Sequence, residues 1–443
     1  MTSASFSVTT SLMKIAIIGG GAAGLMAAAT IRELSPEHEI FLIEKNNGLG
    51  KKVIISGGGR CNVTTGITDV RTVLTRYPRG EKFLNSAIRQ FPPAEVYAWF
   101  EAHGVPLKIE DDLRVFPQSN DGKDIVRVFE EILDDPSVHV LLGTNVVRIS
   151  SLRGTNKFEL YFQGQSSPLL VDRLIITTGG QAYRHTGSTG DGYAFAQALG
   201  HTITSLAPSL NAFFTHETWP QEISGLSFQR ATITAHMQNG RSASYTGPFL
   251  FTHKGVSGPA VFAVSSLVAF EAYDANQPLK ISIDLFPDQS IEEIQTRITK
   301  QIATSPKKNL VNAMLGFIPK SFTEILCAQL KLTLNKHAGE FSKRDVLRCA
   351  QWLKAIPLHV IARGAGDEFV TAGGVSLQEV NPSTMESTRC PELFFAGEVL
   401  DIDGFTGGFN LQASWATGRL AGESAARNIV NEKTDLPLFS GKH

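Results

Sequence analysis

Cysteine is scarce: Cys61, Cys327, Cys349 and Cys390 are the only four in 443 residues, and no two form a C-x-x-C pair. Such spacing argues against a zinc site, a dithiol redox pair and a disulfide framework, and it fits a reducing, cytoplasmic setting. Neither sign of charge is in excess. The 41 Lys and Arg face 42 Asp and Glu, a formal net charge of -1. No DNA partner, no membrane and no broad electrostatic surface for nucleic acid or anionic lipid are expected, although a local patch would vanish in the sum. Long apolar runs are missing too, since the stretch nearest to one, Ile15 to Ile31, is broken by glycines and reads better as strand, turn and helix. Residues 1–12 are rich in Ser and Thr and hold no Lys or Arg, which argues against a secretory or transit signal. They are expected to be a disordered lead-in, with Met13 a candidate start.

What is present begins at Lys14. Lys14 to Ile18 is a β-branched run suited to a buried parallel strand, Gly19 to Gly24 satisfies G-x-G-x-x-G, and Leu25 to Leu34 forms helix well. Gly19 permits the tight turn, Gly21 lets backbone approach a pyrophosphate, and Gly24 lets helix pack close on strand. The helix N-terminus then offers free N–H groups to phosphates. A second strand, Glu39 to Ile43, leads into Glu44, twenty residues after Gly24, where a carboxylate can grip ribose hydroxyls. Together these predict an adenine dinucleotide site; a glycine-rich turn without ligand is the plain alternative.

Further on, Ser56-Gly57-Gly58-Gly59-Arg60-Cys61-Asn62 is costly in backbone entropy for an ordinary loop and suits a bare wall against a ligand. A mobile surface loop is its alternative. Helices are predicted over 82–90, 93–103 and 124–133, and strands over 138–142, 145–150, 157–162 and 170–176, the last leading into Thr178-Gly179-Gly180. From about Ala207 to Leu285 short alternating runs point to an antiparallel sheet or small barrel, and include Thr252-His253-Lys254-Gly255. Residues 290–354 read as helices (292–303, 308–315, 322–332, 343–353), and the chain ends with a buried strand, Gly397-Glu398, and a helix over 413–430.

The Ser56 to Asn62 loop, Thr178-Gly179-Gly180, the motif beginning at Thr252, and Gly404-Phe405-Thr406-Gly407-Gly408-Phe409-Asn410-Leu411-Gln412 closely resemble the BaiN/YhiN-type, aminoacetone-oxidase-like family of FAD-dependent oxidoreductases. The resemblance spans nearly the whole chain. It implies an α/β fold: a glutathione-reductase-type FAD-binding Rossmann-like domain with an inserted β-barrel domain that carries a small helical insertion. The expected divisions are 13–206 and 371–443 for the FAD-binding domain, 207–288 and 356–370 for the barrel, and 289–355 for the helical insertion. By resemblance, Gly19, Gly21, Ala23 and Gly24 take the pyrophosphate and Glu44 the adenosine ribose, with Lys45 beside it. Val146 meets the adenine. Lys52, Ser56, Gly57, Gly58, Gly59, Arg60, Cys61 and Asn62 line the flavin and phosphate side, with Thr178, Gly179 and Gly180. Gly397 and Glu398 hold ribityl hydroxyls, and Gly408, Asn410, Leu411 and Gln412 open a helix toward the flavin. Asp401 and Asp403 read equally as ligand contacts or as turn and capping residues. Cys61 and His253 are the catalytic candidates, each weighed against a packing role.

The expected function is an NAD(P)H-driven reductase that passes hydride from flavin N5 to a C=C or related unsaturated acceptor. The partner is a small molecule or, as the family also implies, an RNA base. No second G-x-G-x-x-G is present, and Gly364-Ala365-Gly366-Asp367 does not fit one, so NAD(P)H would visit the flavin transiently. The alternatives are an oxygen-using amine oxidase, an rRNA-uridine-reducing enzyme and a fumarate-reductase-like dehydrogenase. The last lacks its His-Gly-x-Asn-Arg-Leu-Gly-Gly signature.

Overall fold

The computed structural model describes residues 12–152, 154–333, 336–364 and 369–427. Ala365 to Asp367, residues 1–11, and the predicted helix beyond residue 427 lie outside the described residues. A five-stranded parallel sheet forms the first core. Its order is Leu393–Phe395, Arg173–Ile176, Lys14–Ile18, Glu39–Ile43, Val138–Leu141. Numbered by sequence within the sheet, that is the 3-2-1-4-5 order of dinucleotide-binding folds, and the order reverses between Lys14–Ile18 and Arg173–Ile176. Both of these strands are β-branched and almost wholly buried, as a sheet covered on both faces requires.

Between the third and fourth strands the chain crosses over through an antiparallel meander, Val146–Ser151, Phe158–Phe162 and Leu169–Val171. The single strand predicted over 170–176 is therefore two strands in different sheets. Asp172 separates them, its carboxylate accepting from the Lys14 N–H at 2.8 Å. The helices Ala22–Leu34 and Phe409–Ala426 cross at very close range. A Cβ on Gly418 would sit 2.4 Å from the Ala23 carbonyl oxygen, and one on Gly422 2.7 Å from that of Ala27. The second of these helices starts at Phe409, one turn earlier than predicted, because Gly408 takes φ +91° as its N-cap.

The second core fills a closed barrel in the order Phe213–Thr215, Gly255–Ser257, Ser242–Thr252, Ser227–His236, Leu279–Asp284, Ile356–Arg363. The helices Ile291–Thr304, Leu310–Ala313, Lys320–Leu330 and Lys343–Lys354 lie in the connection between the last two strands. The helix predicted over 308–315 shrinks to Leu310–Ala313, capped by Asn309, and Gly316 at φ +90° follows it. Ala207–Ser209 and Val370–Ala372 pair antiparallel where the chain enters and leaves the barrel.

One buried ion pair fastens the barrel to the sheet. Asp403, fully buried, takes both ends of the Arg79 guanidinium. It also accepts from Ser209 at 2.8 Å and from Ser266 at 3.1 Å. Of the two readings of Asp403, neither holds: it is an internal structural anion, and loss of one partner from such a pair costs about 3–5 kcal/mol.

Candidate functional site

A cavity of about 1000 Å³ opens at the point where the sheet order reverses. Its middle is walled by Gly19, Gly20, Gly21 and Ala23 after the first strand and by Thr177, Thr178 and Gly179 after the fourth. Gly19 sits at φ +111°, and a Cβ there would lie 2.6 Å from the Thr177 carbonyl oxygen. Gly24 is more constrained still, since its Cβ would fall 1.9 Å from the Gly19 oxygen. Gly21 has nothing within 4 Å on that side and caps its helix without a side chain. The backbone donors of that helix therefore face open space. The helix Phe409–Ala426 also begins at the cavity without a side-chain cap. Two uncapped N-termini meeting in one cavity favour an extended anionic ligand.

At one end Glu44 accepts from the Gly20 N–H at 2.8 Å through one carboxylate oxygen. The other oxygen accepts from the Asn46 N–H at 2.8 Å and the Asn46 side-chain amide at 2.6 Å. Thr144, Asn145, Val146, Thr186 and Ser188 surround that end. Lys45 is anchored to Asp191 at 2.5 Å. Deeper in, the Lys52 ammonium pairs with Glu398 at 2.7 Å, while the second Glu398 oxygen accepts from the Thr371 N–H at 2.8 Å. The opposite end turns apolar against the barrel, lined by Leu210, Pro248, Pro259, Phe262, Phe369 and Phe405. Phe262 and Phe369 meet edge to face at 5.2 Å.

Eighteen of the sequence-predicted residues line this cavity: Gly19, Gly21, Ala23, Glu44, Lys45, Lys52, Ser56, Gly57, Gly58, Asn62, Val146, Thr178, Gly179, Gly397, Glu398, Gly408, Asn410 and Leu411. Others do not. Gly59 is absent from the lining, Gly24 and Gly180 stand behind it, and Gly180 leaves room for Thr371 and Glu398. Arg60 turns away to lie 3.8 Å over the Phe116 ring and pair with Glu110 at 2.7 Å. Gln412 is fully buried, taking a bond from Thr64 and giving one to the Phe91 carbonyl at 2.7 Å. Asp401 sits below the lining, and burial pushes its carboxyl above the usual carboxylate range. The two catalytic candidates are also elsewhere. Cys61 is fully buried, with its thiol pushed up to about 12 by that burial, which leaves no thiolate for chemistry. His253 is exposed at the turn between two barrel strands and is absent from the lining.

Sequence reasoning missed the apolar end. Leu210, Pro248, Phe262 and Phe369 carry no local motif, because ordinary core residues become lining only once the barrel closes over the sheet. Thr144 and Asn145 were missed for a similar reason: each acts through its place after a strand. Tyr183 was also missed; it lines the cavity with the Lys52 ammonium 5.8 Å from its ring centre.

The HI0933-like protein Rossmann domain family matches residues 13–424. The chain belongs to that family. Its curated relatives include the 3-dehydro-bile acid delta(4,6)-reductase of Clostridium scindens, 30% identical over 418 residues, which cover 93% of this chain and 99% of the relative. The ribosomal RNA dihydrouridine synthase of Haemophilus influenzae is 28% identical over 415 residues, 93% of this chain and 98% of that one. Among solved structures, a 3-ketosteroid-delta4-(5alpha)-dehydrogenase from Rhodococcus jostii shares the fold, with TM-score 0.51 and 15% identity, covering 95% of this chain and 99% of that one. That family is one of FAD-type oxidoreductases, and this chain joins its Rossmann FAD-binding fold to a six-stranded barrel. Among the described residues no helix is long and apolar enough to cross a membrane.

Proposed function

We propose that the protein is an FAD-dependent reductase that uses NAD(P)H to saturate a C=C bond conjugated to a carbonyl. The observation that carries this reading is a single cavity with a polar nucleotide end, two uncapped helix N-termini and an apolar end under the barrel. When bound, FAD supplies a two-electron carrier between nicotinamide and acceptor. Gly21 and the helix Ala22–Leu34 would hold its pyrophosphate, Glu44 its ribose, the backbone at Val146 its adenine, and Lys52 with Glu398 its ribityl chain. The N-terminus of Phe409–Ala426 would favour negative charge at the ring's pyrimidine edge. Cys61 and His253 lie outside the cavity, and Tyr183, whose ring centre is 5.8 Å from that of Phe369, brings a hydroxyl to the lining beside the apolar end.

The names of the relatives support the acceptor class. A 4,6-unsaturated 3-oxo acid and a uridine base share one feature, a C=C conjugated to a carbonyl. Two relatives named as ribosomal RNA dihydrouridine synthases, from Haemophilus influenzae and Escherichia coli, favour a pyrimidine in RNA as one acceptor. Four buried free thiols fit a reducing cytoplasm. Anaerobic mixing with NADH and with NADPH tests the proposal. Bleaching of the flavin band by one of them is expected, and bleaching by neither would sink it.

A further inference from the structure

The near-zero net charge hides a strong asymmetry. Residues 289–355 hold 11 Lys and Arg against 5 Asp and Glu, which leaves 30 against 37 in the rest of the chain. A helical insertion of about +6 is thus carried on a body of about -7. The fold gathers much of that charge at one place. Helix Ile291–Thr304 leaves the barrel after strand Leu279–Asp284, and helix Lys343–Lys354 returns into Ile356–Arg363, the paired neighbour of that strand. The far ends of both helices therefore lie away from the barrel.

Lys300 stands four residues before the end of the outgoing helix, and Lys343 and Arg344 in the first turn of the returning one. Between them, the Ala338 N–H donates to the Lys308 carbonyl at 2.8 Å and the Gly339 N–H to that of Pro306 at 2.9 Å. These bonds bring Lys307 and Lys308 beside Lys336. Five of the six are exposed, Lys336 being half-buried. Among the described residues none of the six has a carboxylate within salt-bridge distance. The acids at this end are Glu340 and Asp345; Asp345 is engaged by Ser342 and Arg348 and also feels the charge of Lys336, whose ammonium lies 5.4 Å from the Phe341 ring centre.

We propose that this distal end of the helical insertion is a docking surface for the phosphates of a folded RNA. Cations without a salt-bridging carboxylate on an otherwise acidic protein select a polyanion and orient it, because the rest of the surface repels it. The proposal rests on the RNA-base reading of the acceptor given above. A site that reads a base inside a large RNA needs phosphate contacts away from the base to set position.

The test uses full-length, flavin-loaded protein, deproteinised ribosomal RNA and, separately, vesicles rich in phosphatidylglycerol. Lys307→Glu, Lys308→Glu, Lys343→Glu and Arg344→Glu are combined, with the matching Gln quartet as a milder version and Lys82→Glu with Lys123→Glu as a control on the other lobe. The Glu quartet is expected to lower RNA affinity at least 100-fold. The Gln quartet should flatten the slope of log affinity against log salt by about three, at ~0.7–0.9 per lost phosphate contact. The control should retain both. Flavin content and bleaching by NAD(P)H should be unchanged throughout. Parent-like RNA affinity and salt slope in both quartets would overturn the proposal, as would binding of vesicles but not RNA, or no RNA binding at low salt. Failure of NAD(P)H to bleach the flavin would instead sink the reductase reading, since that readout needs no RNA.

Discussion

The two ends of the cavity are built on opposite principles. At the nucleotide end, each polar group is held by a short-range bond: Glu44 by Gly20 and Asn46, Lys45 by Asp191, Lys52 by Glu398. At the barrel end, Leu210, Pro248, Pro259, Phe262 and Phe369 present shape and apolar area with few polar contacts. A pre-paired end binds one ligand in one register. On the proposed reading, an apolar end would take flat unsaturated molecules of differing outline, in line with relatives named for a bile acid and for a ribosomal RNA uridine.

Substitutions at the two ends should therefore separate cofactor retention from acceptor use. The largest effect is expected from Gly24→Val, because even a Cβ would overlap the Gly19 carbonyl. Overpacking costs about 1–3 kcal/mol, occasionally more, and the purified protein should carry almost no flavin, read as the ratio of visible to ultraviolet absorbance. Glu44→Ala removes the charged acceptor of the turn and should weaken FAD binding by about 10- to 100-fold, near the 1.5–3 kcal/mol of such bonds. Its turnover at saturating FAD should stay close to the parent's.

Phe262→Ala should do the reverse. Losing a half-buried ring that an acceptor would cover costs about 1.5–3 kcal/mol at most, so the acceptor KM should rise roughly tenfold while flavin content holds.

Two further changes lie outside both ends and calibrate the comparison. His201 is buried, which lowers its pKa, and accepts the Ser387 hydroxyl at 2.7 Å. A histidine depressed in the fold stabilises above its ordinary value of 6.5 and loses that contribution as pH falls through it. Denaturant midpoints should therefore drop between neutral pH and about pH 5, and less steeply in His201→Gln. The smallest effect is expected from Cys61→Ala, with unchanged kcat and a loss near 1 kcal/mol of stability.

The nucleotide end was legible because its chemistry is local. Gly19, Gly21 and Glu44 announce themselves by spacing, since turn geometry and ribose reach fix the intervals. The barrel end was not legible, because Leu210, Phe262 and Phe369 come from distant parts of the chain and differ in no way from core residues until the chain folds. Motif residues misled where burial outweighed chemistry. Arg60 and Cys61 belong to one distinctive string and Gln412 to another, yet each is spent on packing or internal pairing. The crossed helices hid a signal that was readable in principle: Gly418 and Gly422, four apart, mark the contact that brings both helix N-termini to the cavity.

The most direct measurement is reoxidation without oxygen. Flavin-loaded protein is reduced anaerobically with NADH or NADPH and then given an α,β-unsaturated carbonyl compound or ribosomal RNA. Return of the oxidised spectrum with one saturated product per flavin is the expected result. A reduced spectrum that persists with every acceptor, and returns only on admitting oxygen with stoichiometric peroxide, would contradict the reductase and leave an oxidase.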